Sequence, residues 1–348
     1  MSLDILTNEE ALRLQELIDA SEKIVICCHK SPDGDAIGSM LGLAEFLRNQ
    51  GKSPMLVAPD AFPDFLKWLP CIERIVRYDK HKETVDEAFD KAELIFCLDF
   101  NNSGRLMDLQ QTFDNAKGKR ILIDHHVNPD VESEIVVSRP EMSSTCELLF
   151  RIIHQLGGFD AMTRQGAVPL YCGMMTDTGG FTYNSSRSEI FYIISLLLTK
   201  RFDKDKIYRN VYNNYSEWCI RMRGYVMSQK LNVLPDSHAS YFTITRKEMK
   251  RFHFIKGDAE GLVNEPLRIK GMRLVISLRE DTERDNTIWV SLRTVDHYYC
   301  NKIAEKFFNG GGHPNAAGGH LHCTIEEAEQ IALKAILYFS SQYSNGGQ

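Results

Sequence analysis

The chain has 348 residues, 43% hydrophobic and 25% charged, with 41 Lys plus Arg against 47 Asp plus Glu for a formal charge of −6. That length fits two or three domains, each able to bury a core without disulfides or a structural metal. The acidic balance excludes a broad non-specific DNA-binding face, and the lack of any run of ~18 apolar residues excludes a transmembrane helix.

The opening MSLDILTNEEALRL is acidic and lacks the basic and apolar regions of a secretion signal. The nine cysteines form no C-x-x-C pair and lie mostly among apolar neighbours, the pattern of buried reduced thiols. Together these features predict a cytoplasmic protein. Thr7 and Glu10 form a capping box for a first helix. Lys23–Cys28 is a continuous apolar run ending at His29, as in a strand buried on both faces. A helix from Ala36 to Asn49 follows, and further strands are expected at Met55–Ala58, Leu94–Asp99 and Arg120–Asp124. Ser144 to Glu147 caps another helix that stops at Gly157-Gly158. Strands alternating with helices predict an α/β catalytic domain with a parallel sheet over 1–186. Three helical stretches (188–200, 203–213 and 216–230) predict a connector over 187–234. A smaller mixed-sheet α/β domain is expected over 235–343, with strands at Ala239–Thr245, Met272–Leu278 and Thr287–Arg293. A helix over 297–308, a glycine loop, a short strand and a helix capped by Thr324/Glu327 complete it. The tail SSQYSNGGQ is expected to fray.

Ligands of parallel α/β sheets bind beyond the carboxyl ends of the strands. Here those ends carry His29, Asp33 and Asp35, then Asp99, then Asp124, His125 and His126. Asp177 closes a predicted helix. A lone Asp at a strand end is ordinarily a turn or capping residue, and Asp35 alone would read as a helix cap. Four such clusters in one domain point instead to a shared site. Five carboxylates, two or three imidazoles and no thiolate suit Mn²⁺ or Mg²⁺, and their number suggests two ions, the usual device for in-line attack at phosphorus.

His29-x-x-x-Asp33-x-Asp35, Asp99, Asp124-His125-His126 and Asp177 resemble the four motifs of the DHH phosphoesterase superfamily. Ser291-Leu292-Arg293 and Gly310-Gly311-Gly312-His313 resemble its associated C-terminal domain. Within the superfamily the chain is most similar to the RecJ-like branch of nanoRNases and pAp phosphatases. The resemblance implies two Mn²⁺ ions, with Mg²⁺ or Co²⁺ as substitutes. His29, Asp33 and Asp99 would hold one ion, and Asp35, Asp99, His125 and Asp177 the other, with Asp99 bridging. Asp124 would orient an imidazole, His126 would face the substrate, and a metal-bridging hydroxide would attack phosphorus. Arg293 with Gly310, Gly311, Gly312 and His313 would bind the substrate's remote phosphate or base.

The expected partner is short single-stranded RNA or a small nucleotide such as pAp, with no long duplex and no membrane; a homodimer is left open. Exopolyphosphatase or pyrophosphatase and cyclic-dinucleotide phosphodiesterase activities stay open as enzymatic alternatives, and a non-catalytic RNA-binding protein as one of another class. Tyr298 and Tyr299 offer a base-stacking face unless they pack in the core. Arg268, Lys270 and Arg273 read as solvated charges, and no role is assigned to His320 or His322.

Overall fold

The computed structural model describes residues 3–255 and 257–343. The chain divides into two compact units, Met1–Asn214 and Tyr215–Gln348. The division falls inside the expected connector. Among the described residues no helix is long and apolar enough to cross a membrane.

In the first unit, α1 (Asn8–Ala20) opens on the reciprocal Thr7/Glu10 capping box. Then follow β1 (Ile24–Cys28), α2 (Gly34–Asn49), β2 (Met55–Ala58), β3 (Ile75–Arg77), α3 (Lys82–Asp90), β4 (Leu94–Leu98), α4 (Gln110–Asn115), β5 (Lys119–Asp124) and β6 (Ile135–Ser138). The helices α5 (Thr145–Gln155), α6 (Arg164–Asp177), α7 (Ser188–Leu198) and α8 (Lys204–Tyr212) complete it. All six strands are parallel, in the order β3-β2-β1-β4-β5-β6. Alternate residues of β1 enter opposite cores. Ile24, Ile26 and Cys28 pack with α1, α2, α5, α6 and α7, whereas Val25 and Cys27 face α3 and α4. Burial on both faces is why these strands are uninterrupted apolar runs. The short edge strands β3 and β6 lack that signal.

The helices expected as a connector are divided between the units. Ile190, Ile193, Leu197, Ile207 and Val211 of α7 and α8 join the first unit's main core. Met222 of α9 (Glu217–Tyr225) packs with Phe242 and Met249 in the second. The second unit continues with β7 (Asn232–Leu234), β8 (Ala239–Ile244), α10 (Arg246–Arg251), β9 (Leu274–Glu280), β10 (Thr287–Thr294), α11 (Asn301–Phe307), β11 (Gly311–His313), β12 (Ala316–His322) and α12 (Ile325–Tyr343). Its sheet runs β11-β12-β10-β9-β8-β7 and is mixed, since only β8 and β9 pair in parallel.

Two details depart from the sequence reading. The expected glycine loop is the hairpin β11–β12, and the tail stays helical through Tyr343, with 344–348 outside the described residues. Glycine makes that hairpin possible: a Cβ on Gly310 would lie 1.9 Å from Gly318 O, and Gly312 sits at φ +138°.

Candidate metal centre

The strand order reverses between β1 and β4, the position where open α/β sheets form a crevice. His29 leaves β1 there and Asp99 leaves β4, while Asp124 ends β5 and leads into His125 and His126. Asp99 is 2% exposed and adopts φ +65°, a left-handed conformation uncommon outside glycine, asparagine and aspartate. Three imidazoles surround its carboxylate: His29 Nε2 at 3.3 Å, His125 Nε2 at 3.6 Å and His126 Nδ1 at 3.7 Å. The Thr145 hydroxyl donates to it at 3.0 Å.

The imidazole orientations identify what the cluster can hold. His29 Nδ1 lies 2.8 Å from Lys30 O, and a carbonyl only accepts, so Nδ1 carries the proton. The buried Nε2 has no hydrogen-bond partner and faces carboxylate oxygens of Asp99 at 3.3 Å and Asp33 at 4.0 Å. A lone pair set against two acceptors requires a cation between them, either a proton or a metal. His125 presents its Nε2 to carboxylates as well. Its Nδ1 points to Met142 O at 3.4 Å, and its Nε2 faces Asp177 at 3.4 Å, Asp99 at 3.6 Å and Asp35 at 3.9 Å. The donor atoms of His29, Asp33 and Asp99 lie within 4.8 Å of one another, as do those of Asp35, His125 and Asp177, and those of Asp99, Asp124 and His126. Oxygen donors with imidazoles and no thiolate fit a hard or borderline divalent ion such as Mn²⁺ or Mg²⁺.

Asp33 and Asp35 reach the site by different routes. Asp33, not Asp35, is the N-cap of α2: its Oδ1 accepts from Asp35 N and Ala36 N at 3.0 Å each. That leaves Oδ2 turned toward His29. Asp35 is buried inside the first turn and accepts from Thr145 N at 2.6 Å and Cys146 N at 2.8 Å, at the start of α5. Asp177 arrives on the last turn of α6, which packs tightly along α2. A Cβ on Gly34 would lie 2.3 Å from the Thr176 hydroxyl, one on Gly38 2.5 Å from Pro169 O, and one on Gly173 2.2 Å from the Cys146 sulfur. This glycine seam brings the start of α2 against the end of α6, and with it Asp35 to Asp177.

Gathering these groups perturbs their ionisation. Burial and the Asp99 charge raise the Asp35 pKa to about 7 against the pull of His125. Burial and the neighbouring Asp35, Asp33 and Asp99 push Asp177 well up. Burial works against a charged His125, but Asp177, Asp99, Asp35 and Asp124 outweigh it and raise its pKa to about 9. Burial would likewise lift Asp99, yet the His29 imidazole at 3.3 Å, with His126 and His125 beside it, holds it below the usual range.

His126 is held differently. Arg105 Nη1 lies 3.0 Å from His126 Nε2 and can only donate, so the ring proton sits on Nδ1 and is given to Asp124 Oδ1 at 2.7 Å. Asp124 thus orients an imidazole, and its buried Oδ2 has no hydrogen-bond partner.

Residues 23–174 match the N-terminal domain of the DHH family and residues 243–341 the DHHA1 domain. The crystal structure of an exopolyphosphatase-related protein from Bacteroides fragilis is 45% identical with a TM-score of 0.93, covering 98% of this chain and 99% of that one. The chain belongs to the DHH family of phosphoesterases. This DHH chain is also 26% identical, over 90% of its own length and 94% of the relative's, to a probable bifunctional oligoribonuclease and PAP phosphatase, NrnA, of Streptococcus mutans. It shares its fold with RecJ of Thermus thermophilus in complex with Mn²⁺, at 14% identity and a TM-score of 0.52 over 98% of this chain and 56% of that one.

In the DHHA1 part of this DHH protein, Arg293 lies on β10, opposite Ala316 of β12, which pairs in turn with His313 of β11. The register therefore puts Arg293 and His313 in one row across three strands. Arg293 is half-buried and donates to Leu292 O at 2.8 Å. Tyr298 packs on Phe339, Tyr343 and Arg273, whereas Tyr299 is exposed. Arg268 pairs with Glu265 on the surface.

The sequence reading missed Arg105 and Thr145. Arg105 follows the irregular polar stretch Asn101–Gly104 beyond Asp99, where no periodicity marks a side chain's direction. Thr145 was absorbed into the capping signature of α5, although its hydroxyl goes to Asp99.

Proposed function

We propose that this DHH protein is a two-metal, manganese-dependent phosphoesterase acting on short oligoribonucleotides and on pAp. The observation that carries the reading is the His29 lone pair turned, without a hydrogen-bond partner, toward the carboxylates of Asp33 and Asp99, with His125 Nε2 facing those of Asp35, Asp99 and Asp177. His29, Asp33 and Asp99 would hold one divalent ion, and Asp35, Asp99, His125 and Asp177 the other. Such ions neutralise phosphoryl charge and lower the pKa of an attacking water. The chain's own residues do the rest. Asp124 fixes the tautomer of His126, which accepts from Arg105 and so would hold that guanidinium toward the phosphoryl oxygens beside the ring. In the second unit, Arg293, the Gly310–Gly312 backbone and His313 grip a remote phosphate or base. The same reading places the enzyme in the cytoplasm, in keeping with its nine free thiols.

The substrate assignment is supported by the NrnA relative, while the description of the Bacteroides relative favours polyphosphate as a second reading. One purified sample assayed side by side on a pentaribonucleotide, pAp, a cyclic dinucleotide and polyphosphate separates them. Turnover of the first two is expected, abolished by chelator and restored better by Mn²⁺ than by Mg²⁺. Polyphosphate as the single good substrate would transfer the chain to the second reading. Turnover of none of them would leave an RNA-binding protein.

A further inference from the structure

The turn between β6 and α5 touches three of the groups assigned to one metal position. Met142 O accepts from His125 Nδ1, Thr145 N and Cys146 N donate to the two oxygens of Asp35, and the Thr145 hydroxyl donates to Asp99. The same turn is gripped from behind by Glu147, a fully buried carboxylate. Its Oε2 accepts from Ser143 N at 2.9 Å, from the Ser143 hydroxyl at 2.7 Å and from Arg187 Nη2 at 2.6 Å. Its Oε1 accepts from Arg151 Nε at 3.1 Å and Nη2 at 2.8 Å. Arg187 also places Nη1 3.3 Å from the Met142 sulfur.

We infer that Glu147, clamped by Arg151 and Arg187, is a positioning residue for the Asp35/His125/Asp177 metal position. The inference rests on the two-metal reading above. A helix cap needs no such construction, because Ser144 already accepts from Glu147 N as the N-cap of α5. A buried carboxylate with five charged or polar donors is instead a rigid strut, since each unmet donor would be penalised. Its stiffness passes through Ser143 to Met142 O, which fixes the tautomer and ring plane of His125. It passes through the start of α5 to the two N–H groups that aim the Asp35 carboxylate. The His29/Asp33/Asp99 position shares only the Thr145 hydroxyl with this turn, so the effect should be lopsided.

Arg187 provides the mild perturbation. Its side chain is one-third exposed, so Arg187→Ala removes one arm of the clamp with water available to replace it. Glu147→Gln is the stronger variant, keeping shape while losing the charge between two guanidiniums. The test is Mn²⁺ titration by calorimetry and by paramagnetic resonance of the full chain, with thermal unfolding in chelator as the fold control. Wild type should take up two ions. In Arg187→Ala one of them should weaken ~10- to 100-fold, the range typical when a partner that orients a metal ligand is lost, while the other keeps its affinity. Raising Mn²⁺ should restore kcat with KM unchanged. Two ions of wild-type affinity in both variants would overturn the inference, as would equal weakening of both positions alongside a lowered chelator Tm. A wild type that binds no Mn²⁺ would instead sink the two-metal reading itself.

Discussion

Asp99→Asn is the most diagnostic single change, and the backbone dictates the choice of Asn. At φ +65° alanine would add ~1–2 kcal/mol of strain, whereas asparagine tolerates the left-handed region. The variant therefore removes charge without disturbing the turn after β4. Asp99 is buried and lies within 3.7 Å of three imidazoles, at the meeting point of both assigned metal positions. Two unit charges ~4 Å apart at an effective dielectric of ~20 interact by ~4 kcal/mol, or ~10³-fold in affinity, which is a lower bound for a divalent ion. Both Mn²⁺ ions should weaken by about that factor, and turnover at fixed Mn²⁺ should fall at least in parallel. Asp33→Asn is the internal contrast. Asp33 is 47% exposed, and its capping bonds to Asp35 N and Ala36 N are ones asparagine can also accept. Its charge acts through water, so one ion should weaken by roughly tenfold. The assay is Mn²⁺ calorimetry with initial rates on a nitrophenyl phosphodiester. Two ions bound to Asp99→Asn within threefold of wild type would refute the bridging role.

Two further outcomes follow from the geometry. Arg293→Ala should lower kcat/KM on a dinucleotide by ~30- to several-thousand-fold, the loss expected for a charge-assisted phosphate contact, and spare a nitrophenyl diester that has no remote group; equal loss on both substrates would show that Arg293 serves folding or the reaction centre. In chelator, Tm should fall as pH rises, because Asp35 and His125 both bind protons more tightly folded than unfolded. The contribution of His125 is full below its ordinary 6.5 and lost as pH passes about 9, and that of Asp35 is lost earlier, between 3.8 and about 7. Excess Mn²⁺ should abolish the slope by replacing the proton, and a flat Tm profile in chelator would count against the cluster.

The central strands and the residues at their carboxyl ends were legible because each signal is local. A strand buried on both faces is a continuous apolar run, and a ligand at its end interrupts that run with a charge. The edge strands β3 and β6, three and four residues long, offer too few positions to show a pattern. The division of the connector helices between the two units is hidden for a related reason. Apolar positions in α7, α8 and α9 reveal that each buries a face, but not that Ile190 and Met222 enter different cores. What stayed illegible is whatever depends on two distant segments meeting. Gly38 and Gly173 read as ordinary helical glycines, and Gly34 as a turn ahead of the helix, until α2 and α6 are placed against each other, and Glu147 reads as a capping residue until Arg187 approaches it.

Asp177 gives the sharpest test of whether the site is built for a cation. It ends α6, where carbonyl groups already make the helix terminus negative and a carboxylate is unfavourable by ~0.3–1 kcal/mol. Asp35, Asp33 and Asp99 add like charge, and burial adds desolvation, so its pKa rises even with His125 at 3.4 Å. A net upward shift means that the ionised form is disfavoured in the folded chain, and that its charge opposes folding at neutral pH once metal is removed. Asp177→Asn keeps the shape and deletes that charge. It should therefore raise Tm in chelator while shrinking the further rise that Mn²⁺ produces, so that the two effects carry opposite signs. A residue serving the fold through its pair with His125 would behave otherwise, with Tm in chelator falling on substitution. Differential scanning calorimetry of both proteins, in chelator and in excess Mn²⁺ at neutral pH, reads the two signs directly. A lowered chelator Tm with an undiminished Mn²⁺ response would assign Asp177 to structure and remove it from the metal centre.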